Sequence, residues 1–539
     1  MTALGAVATT RTMRRLWGAG GASLGLVAEA AAQTHGPLPM WLDRPLAIAP
    51  ELGRDLHWGH LARLVEDASG WLHAAGVCPG DTVAVLKDHN IDVIGLAQAA
   101  ARLGAIPAVI APEFDAATVA TLLARLGNPV TLADRSAITR HRLGGITALR
   151  RLVCVDGAAD GAVPLDEMRG TRAPAPQCRT GDQLLAITHT SGTTGVPKLI
   201  GHTGDSLAGQ AAVQVLGGRL LLRSHDVVAT CLTTAHARAL SGPFTIAAVG
   251  APHLAMVDPD PMAAAGLLAR HRPTLLETFP NVFQRWEQLA DHPDQPLANV
   301  RIFLSTFDAA HPRTIRRMLG ASRRRFPLYA QAYAQSELGA MAVGFRTRRQ
   351  ARSGDARDVG WPGLALTGVR IIDPDTGRHT PRPGVYGRIQ ARGPGLFAGY
   401  VGEPQRTREQ RHEGWWDTGD IGTRTRTGQL RLAGRVVDDV PGLPDYLAVE
   451  DLVLDRLPEL TELVLTALPD ETTVPVVCTR DDVPLDPARW REATADLPVM
   501  VAPRQFRWSE LPTTATWKVR RPALREQLAT PSPVPEATV

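Results

Sequence analysis

The sequence predicts an α/β protein: a large N-terminal domain of two βαβ-type subdomains plus a β-rich subdomain, followed by a small α+β C-terminal lid domain. Three observations predict it. Short apolar runs alternate with segments of helical periodicity over the first 330 residues, the signature of βαβ units and a largely parallel sheet. After Gly360 the texture changes, with Pro362-Gly363, Pro374, Gly377, Pro383-Gly384 and Gly393-Pro394-Gly395 separating short strand-like runs. A shorter α+β stretch follows Gly434-Arg435, and 539 residues are more than one core organises.

Residues 1–45 read as an extension and a first helix. Arg11, Arg14 and Arg15 precede a small apolar run and have the outline of an export leader. Glu29 interrupts that run, and Leu24, Val27 and Ala31 fall at helical spacing, so the expectation is a short surface helix. Residues 58–72 are periodic as a helix, and the turn Gly76-Val77-Cys78-Pro79-Gly80-Asp81 leads into a strand at 82–86. A helix at 92–103 and a buried strand at 105–110 follow. The alternation continues at 227–232, 263–271, 274–278 and 301–304, then gives way to the β-rich subdomain at 360–433 with strands at 369–372 and 387–391. The expected division is 1–433, a hinge at 434–438, the lid domain at 439–527, and a disordered tail at 528–539, rich in proline.

Composition excludes several classes. A formal net charge of +4 is too small for a nucleic-acid footprint, and Arg323-Arg324-Arg325 reads as a solvated helix end. No run of ~20 apolar residues spans a membrane. The five cysteines are scattered, without CxxC or Cys/His spacing, and read as isolated buried thiols in a reducing cytoplasm. Of 58 Lys plus Arg, only Lys87, Lys198 and Lys518 are lysine. A lysine that survives such a bias marks a place where a compact ammonium is needed.

The chemistry concentrates in Thr190-Ser191-Gly192-Thr193-Thr194-Gly195-Val196-Pro197-Lys198, after an apolar strand at 184–187. Two glycines let backbone N–H groups approach an anion, four hydroxyls add donors, and Lys198 supplies a point charge. The GxxxxGK[ST] spacing of common nucleoside triphosphatases is absent.

This segment resembles the phosphate loop of the adenylate-forming superfamily: acyl-CoA synthetases, aryl-acid ligases, luciferases and adenylation domains of peptide synthetases. The resemblance runs from about residue 24 to 525, and the other motifs follow in the family's order. Ala332-Tyr333-Ala334-Gln335-Ser336-Glu337 resembles the family's Tyr-Gly-x-Thr-Glu. The likeness implies that Tyr333 stacks on adenine beside Ala332, Ser336 meets the α-phosphate and Glu337 holds Mg²⁺. Trp416-Asp417-Thr418-Gly419-Asp420 resembles Thr-Gly-Asp, and implies that Asp420 takes both ribose hydroxyls. Gly434-Arg435 resembles the hinge motif, with Arg435 at the ribose and phosphate. Lys518, in Thr513-Thr514-Ala515-Thr516-Trp517-Lys518-Val519-Arg520, would bridge the acid and the ribose oxygens. His236 resembles the aromatic-His motif near the acid site, with a satisfied core histidine as its competitor. Asp308 falls within the segment that lines the nucleotide and acid sites.

The implied reaction is attack of a small acid on the α-phosphorus of ATP, release of pyrophosphate, and transfer from the adenylate to an acceptor. The leading expectation is a cytoplasmic CoA ligase for a small carboxylic acid. The alternatives are an amine or carrier-protein acceptor, including a diazotase-like enzyme that activates nitrite for an aryl amine, and a dead binding scaffold. Four departures weaken the coenzyme A assignment or reshape the site. Val437 and Trp517 replace the usual pivot and glycine, two prolines enter 440–446, and Phe307 replaces a glycine beside the acid tunnel, predicting a short pocket.

Overall fold

The computed structural model describes residues 23–529 except 191–195, 224, 307–309, 354–356, 374–375, 381, 436–439, 441–442, 444, 469, 499 and 515–517. A first eight-stranded sheet runs, in spatial order, Gly399–Tyr400, Leu199–Thr203, Leu184–His189, Ile106–Val109, Thr82–Leu86, Val130–Ala133, Arg151–Cys154 and Val163–Pro164. Its central strands are parallel and buried on both faces, which is why they read as unbroken apolar runs. The helices Trp58–Ala74, Asp92–Arg102 and Ala116–Arg125 alternate with these strands in the chain, the last capped by Asp115 through the Thr118 N–H.

The second sheet orders its eight strands Gly339–Arg346, Leu328–Gln335, Ile302–Thr306, Leu275–Thr278, Val228–Cys231, His253–Met256, Pro39–Leu42 and Asp55–His57. Pairing is parallel from Leu328–Gln335 through Pro39–Leu42. One face packs on Phe279, Phe283, Trp286 and Met318, the other on the helix Ala237–Val249 through Leu240 and Phe244. The first helix, Val27–His35, is not the surface helix its composition suggested. Leu24, Val27 and Ala31 are fully buried in the main core, and Glu29 turns outward to pair with Arg102 at 2.7 Å. Small residues let it lie close against its neighbours, and about 25 cal/mol per Å² of apolar area favours that burial. Arg11, Arg14 and Arg15 lie outside the described residues.

Lys87 is structural. It is buried, with Nζ 2.7 Å from Asp92 Oδ1, while Asp92 Oδ2 accepts from the Ile48 N–H. Arg323, Arg324 and Arg325 are exposed after the helix Pro312–Ala321, as read from sequence.

The Gly/Pro-dense stretch folds into a third, six-stranded antiparallel sheet holding Asp358–Gly360, Leu430–Arg435, Trp415–Arg424, Gly387–Arg392 and Gly368–Ile372, with Arg411–His412 at its side. The smaller C-terminal region has a three-stranded sheet, Leu460–Ala467, Thr473–Thr479 and Arg504–Gln505, with helices Tyr446–Arg456 and Arg521–Ala529. That last helix runs past residue 527, into the stretch expected to be tail. No described helix is long and apolar enough to cross a membrane.

Candidate active site

The loop-bearing segment is a β-hairpin. Leu184–His189 pairs antiparallel with Leu199–Thr203, and the hairpin closes where Thr190 N donates to Lys198 O at 3.0 Å. Lys198 N returns a bond to Thr190 Oγ1, also at 3.0 Å. Ser191, Gly192, Thr193, Thr194 and Gly195 lie outside the described residues. His189 supports the base: Nε2 accepts from the Ala111 N–H and Nδ1 donates to Thr190 O at 2.9 Å. Burial pushes this imidazole down to about 4, so it stays neutral and keeps that tautomer.

Lys198 Nζ sits over the ring of Tyr400, 5.0 Å from its centroid. Burial lowers its pKa, and the Glu337 carboxylate opposes that loss. Tyr400 Oη donates to Glu337 Oε1 at 2.8 Å, and burial together with the Glu337 charge pushes the phenol well up. An ammonium, an aromatic face and a buried carboxylate therefore form one group at the hairpin's mouth.

A second group surrounds Asp420. Tyr333 Oη donates to Asp420 Oδ2, and Gln335 Nε2 donates to the same oxygen at 2.9 Å and to Thr418 O at 2.8 Å. Arg435 Nε donates to Oδ1 at 3.0 Å from the neighbouring strand, where it lies opposite Asp420 in register. Burial, then the adjoining carboxylate, raises the Tyr333 phenol and keeps it a donor. Gly419 has φ 72°, a left-handed conformation suited to glycine, and pairing with Gly387–Arg392 slips beside it. The Thr-Gly-Asp motif is thus a kink that aims Asp420 inward. Ala332 is buried beside Thr306, and the Ser336 carbonyl accepts from Gln210 Nε2 at 3.3 Å. Glu337 follows at once, so the Asp420 and Lys198 groups are joined by the strand end that holds Tyr333 through Glu337.

His236 caps the helix Ala237–Val249, its Nδ1 accepting from Ala239 N at 3.3 Å. Its ring lies edge-on to Phe279 at 5.8 Å, and burial, aided by Arg238, His189 and His89, pushes it down to about 3. A neutral imidazole there accepts rather than donates at the cap. Lys518 lies in the small domain, in a turn closed by Thr514 N to Lys518 O at 2.8 Å and Lys518 N to Thr514 Oγ1 at 3.1 Å. Asp308, Phe307, Val437 and Trp517 lie outside the described residues.

Sequence reasoning missed Tyr400 as the link between Lys198 and Glu337, and Gln335 as a partner of Asp420. Gln335 lay inside a quoted motif. Tyr400, one of five tyrosines, had only its rarity as a signal. Among the described residues no group of three His, Cys, Asp or Glu side chains stands ready to hold a metal. The donor set that is described, the buried Glu337 carboxylate near Lys198, fits Mg²⁺, which takes few protein oxygens and completes its shell with phosphates and water.

Two α/β sheets, with a hairpin of the first bringing Lys198 near the buried Glu337 that follows a strand of the second, form the scaffold of an AMP-forming ligase. The chain belongs to the AMP-binding enzyme family, whose model matches residues 39–401. It is 42% identical to a 3-amino-2-hydroxy-4-methoxybenzoate diazotase of Streptomyces cremeus, over 95% of this chain and 96% of that protein. It is 27% identical to a salicyl-AMP ligase/salicyl-S-ArCP synthetase of Mycobacterium tuberculosis, over 81% and 79% of the two chains. An anthranilate CoA ligase solved with anthranoyl-AMP shares the fold, with TM-score 0.77 at 19% identity over 94% and 97% of the chains.

Proposed function

We propose that this ligase adenylates nitrite with ATP and passes the nitroso group to an aromatic amine, making a diazonium ion. The observation that carries this reading is the end-to-end 42% identity to a diazotase. A nitrite oxygen attacks the α-phosphorus and the bond to pyrophosphate breaks, giving nitrosyl-AMP. The amine nitrogen then attacks the nitroso nitrogen, the N–O bond to AMP breaks, and the amine proton leaves to solvent. The nitrosamine tautomerises to a diazohydroxide and loses hydroxide. Nitrogen enters as N(III), so no oxidant or reductant is needed.

In this reading Asp420 takes the ribose hydroxyls. A carboxylate has about four lone-pair directions, and its three present donors hold it in place, so a ribose shares or displaces one of them. Tyr333 and Ala332 flank adenine, with Asp308 nearby, and Arg435 reaches ribose and phosphate. Ser336 meets the α-phosphate; Thr190, the loop to Gly195 and Lys198 grip the outer phosphates. Glu337 would hold Mg²⁺, which supplies charge neutralisation on the phosphates. Lys518 is carried to the α-phosphate by the domain 439–527 turning about a hinge at 434–438 against the domain 1–433. The transition state gathers negative charge, so prearranged cations and donors supply most of the acceleration. His236, neutral at its cap, lines the side from which the small acid enters.

A second reading, transfer from a small carboxylic acid to coenzyme A or a carrier-protein thiol, is favoured by the likeness to the salicyl-AMP ligase. Pyrophosphate release with nitrite or with a panel of carboxylic acids, with and without an aryl amine or CoA, separates the two. Nitrite-dependent release with azo-dye trapping of the product is the expected result. Thioester formation with no response to nitrite would overturn it.

A further inference from the structure

A buried ion pair ties the helix Ala237–Val249 to the second sheet. Arg238, on the helix's first turn, donates from Nε to Glu277 Oε1 at 2.8 Å and from Nη2 to Oε2 at 2.6 Å. Their side chains are 11% and 3% exposed. Glu277 lies in the strand Leu275–Thr278, between Thr230 and Leu304 in register, on the face that Leu275 presents to the helix. A buried pair of this kind is poor evidence for stabilisation, because apolar residues of similar volume do as well. Its use lies elsewhere.

The guanidinium is only partly engaged by Glu277. Nη1 points along the helix toward Gly242, where an added β-carbon would stand 3.0 Å from it. Glycine at 242 makes room for that nitrogen. The pair also adjoins His236, which the proposed function sets beside the small acid. His236 is two residues before Arg238, and Phe279, whose ring meets His236, is two residues after Glu277. Arg238, His189 and His89 all act electrostatically on His236, and His189 is bonded to the base of the phosphate hairpin. The parallel strands end here at their C-terminal edge, where ligands bind in such sheets. The strand of Glu277 is two strands from that of Tyr333, about 10 Å away.

We propose that Arg238, held in orientation by Glu277, anchors the carboxylate of the second substrate, so that this enzyme prefers aromatic amines carrying a ring carboxylate. The guanidinium's planar fork suits a carboxylate. The inference rests on the diazotase reading and names the class of amine. Arg238 is the binding residue, and Glu277 positions it.

Full-length enzyme with ATP and nitrite is assayed by azo coupling on 3-aminobenzoate and on 3-aminobenzamide. Wild type is expected to favour the aminobenzoate ~10–100-fold in kcat/KM, through KM, as befits one charge-assisted anchor. Arg238→Gln combined with Glu277→Gln, which leaves no lone buried charge, should bring that ratio to within about threefold. The ratio is measured within one preparation, so it does not depend on how much enzyme is folded. Should that variant not fold, Arg238→Lys, which keeps the charge and loses the planar fork, is measured instead and should lower the ratio at least ~threefold; an unchanged ratio overturns the inference. A wild type without preference, or a double variant that keeps it, overturns the inference. Absence of nitrite-dependent pyrophosphate release in wild type overturns the diazotase reading instead.

Discussion

Two buried carboxylate clusters in this molecule are balanced in different ways. Asp420 draws its donors from Tyr333 and Gln335 on a strand of the second sheet and from Arg435 on the strand paired with its own. The second cluster lies on the seam with the small domain. There His311, just before the helix Pro312–Ala321, has Nδ1 2.6 Å from Asp451 on the helix Tyr446–Arg456, and Nε2 3.9 Å from Glu462. Burial works against its charge, but the Asp451 bond and the charges of Asp451, Glu462 and Glu450 lift it to about 9. Burial pushes Glu462 up to about 7 although His311⁺ opposes it, while Glu450 is held by Arg521 at 2.8 Å. Arg313 and Arg316 of the His311 helix reach Leu454 O at 3.0 Å and Asp455 at 2.5 Å. Charges balanced inside one body are in place before any ligand arrives. Charges balanced between distant segments, as at His311, exist only while those segments touch, so that cluster depends on the contact and the Asp420 cluster does not.

The largest effects should come from the Asp420 cluster and, if the proposed reaction holds, from Lys518. Asp420→Ala strands a buried tyrosine hydroxyl, costs about 1–3 kcal/mol in a calorimetric melt, and lowers adenylation. Lys518→Ala should slow pyrophosphate release ~10²–10³-fold, as for a lost oxyanion donor. Unchanged release would remove Lys518 from the chemistry. Next comes the seam. His311→Ala should weaken docking by about 1–3 kcal/mol, read as faster proteolysis near residues 436–444.

The pH dependence of the seam has a definite sign. A histidine raised from 6.5 to about 9 contributes fully below pH 6.5 and loses that contribution as pH rises through 9. Glu462, raised from 4.5 to about 7, acts in the same direction over its lower window. Proteolysis at the seam should therefore increase from pH 6 to pH 10, and a flat profile would show that docking does not depend on this cluster. The smallest effect is expected from Tyr400→Phe, which keeps the ring under Lys198 but removes the bond to Glu337. It should cost about 0.5–1.5 kcal/mol, seen as a ~2–10-fold rise in KM for ATP.

The fold was legible where one residue pattern had one meaning. The strand at 82–86 and the helix beginning at Asp92 came directly from periodicity. The first helix was misjudged because alanines and glycines carry no strong hydrophobic signal, yet they pack closest of all. At the site, the motif residues Tyr333, Asp420 and Arg435 do converge. What the sequence withheld were partnerships between distant positions: Tyr400 with Lys198, Arg238 with Glu277, and His311 with Asp451. A lone arginine or tyrosine has no local pattern, and only the folded chain shows what it faces.

The scarcity of lysine has a chemical consequence. Lys87 is sealed in its pair with Asp92, and neither Lys198 nor Lys518 is fully exposed. Activated acyl or nitroso intermediates attack primary amines readily and protonated guanidinium groups poorly, since arginine keeps its proton at any working pH. An adenylate that escapes before transfer meets a surface with almost no side-chain nucleophile of that kind, so the catalyst is a poor target for its own reactive product.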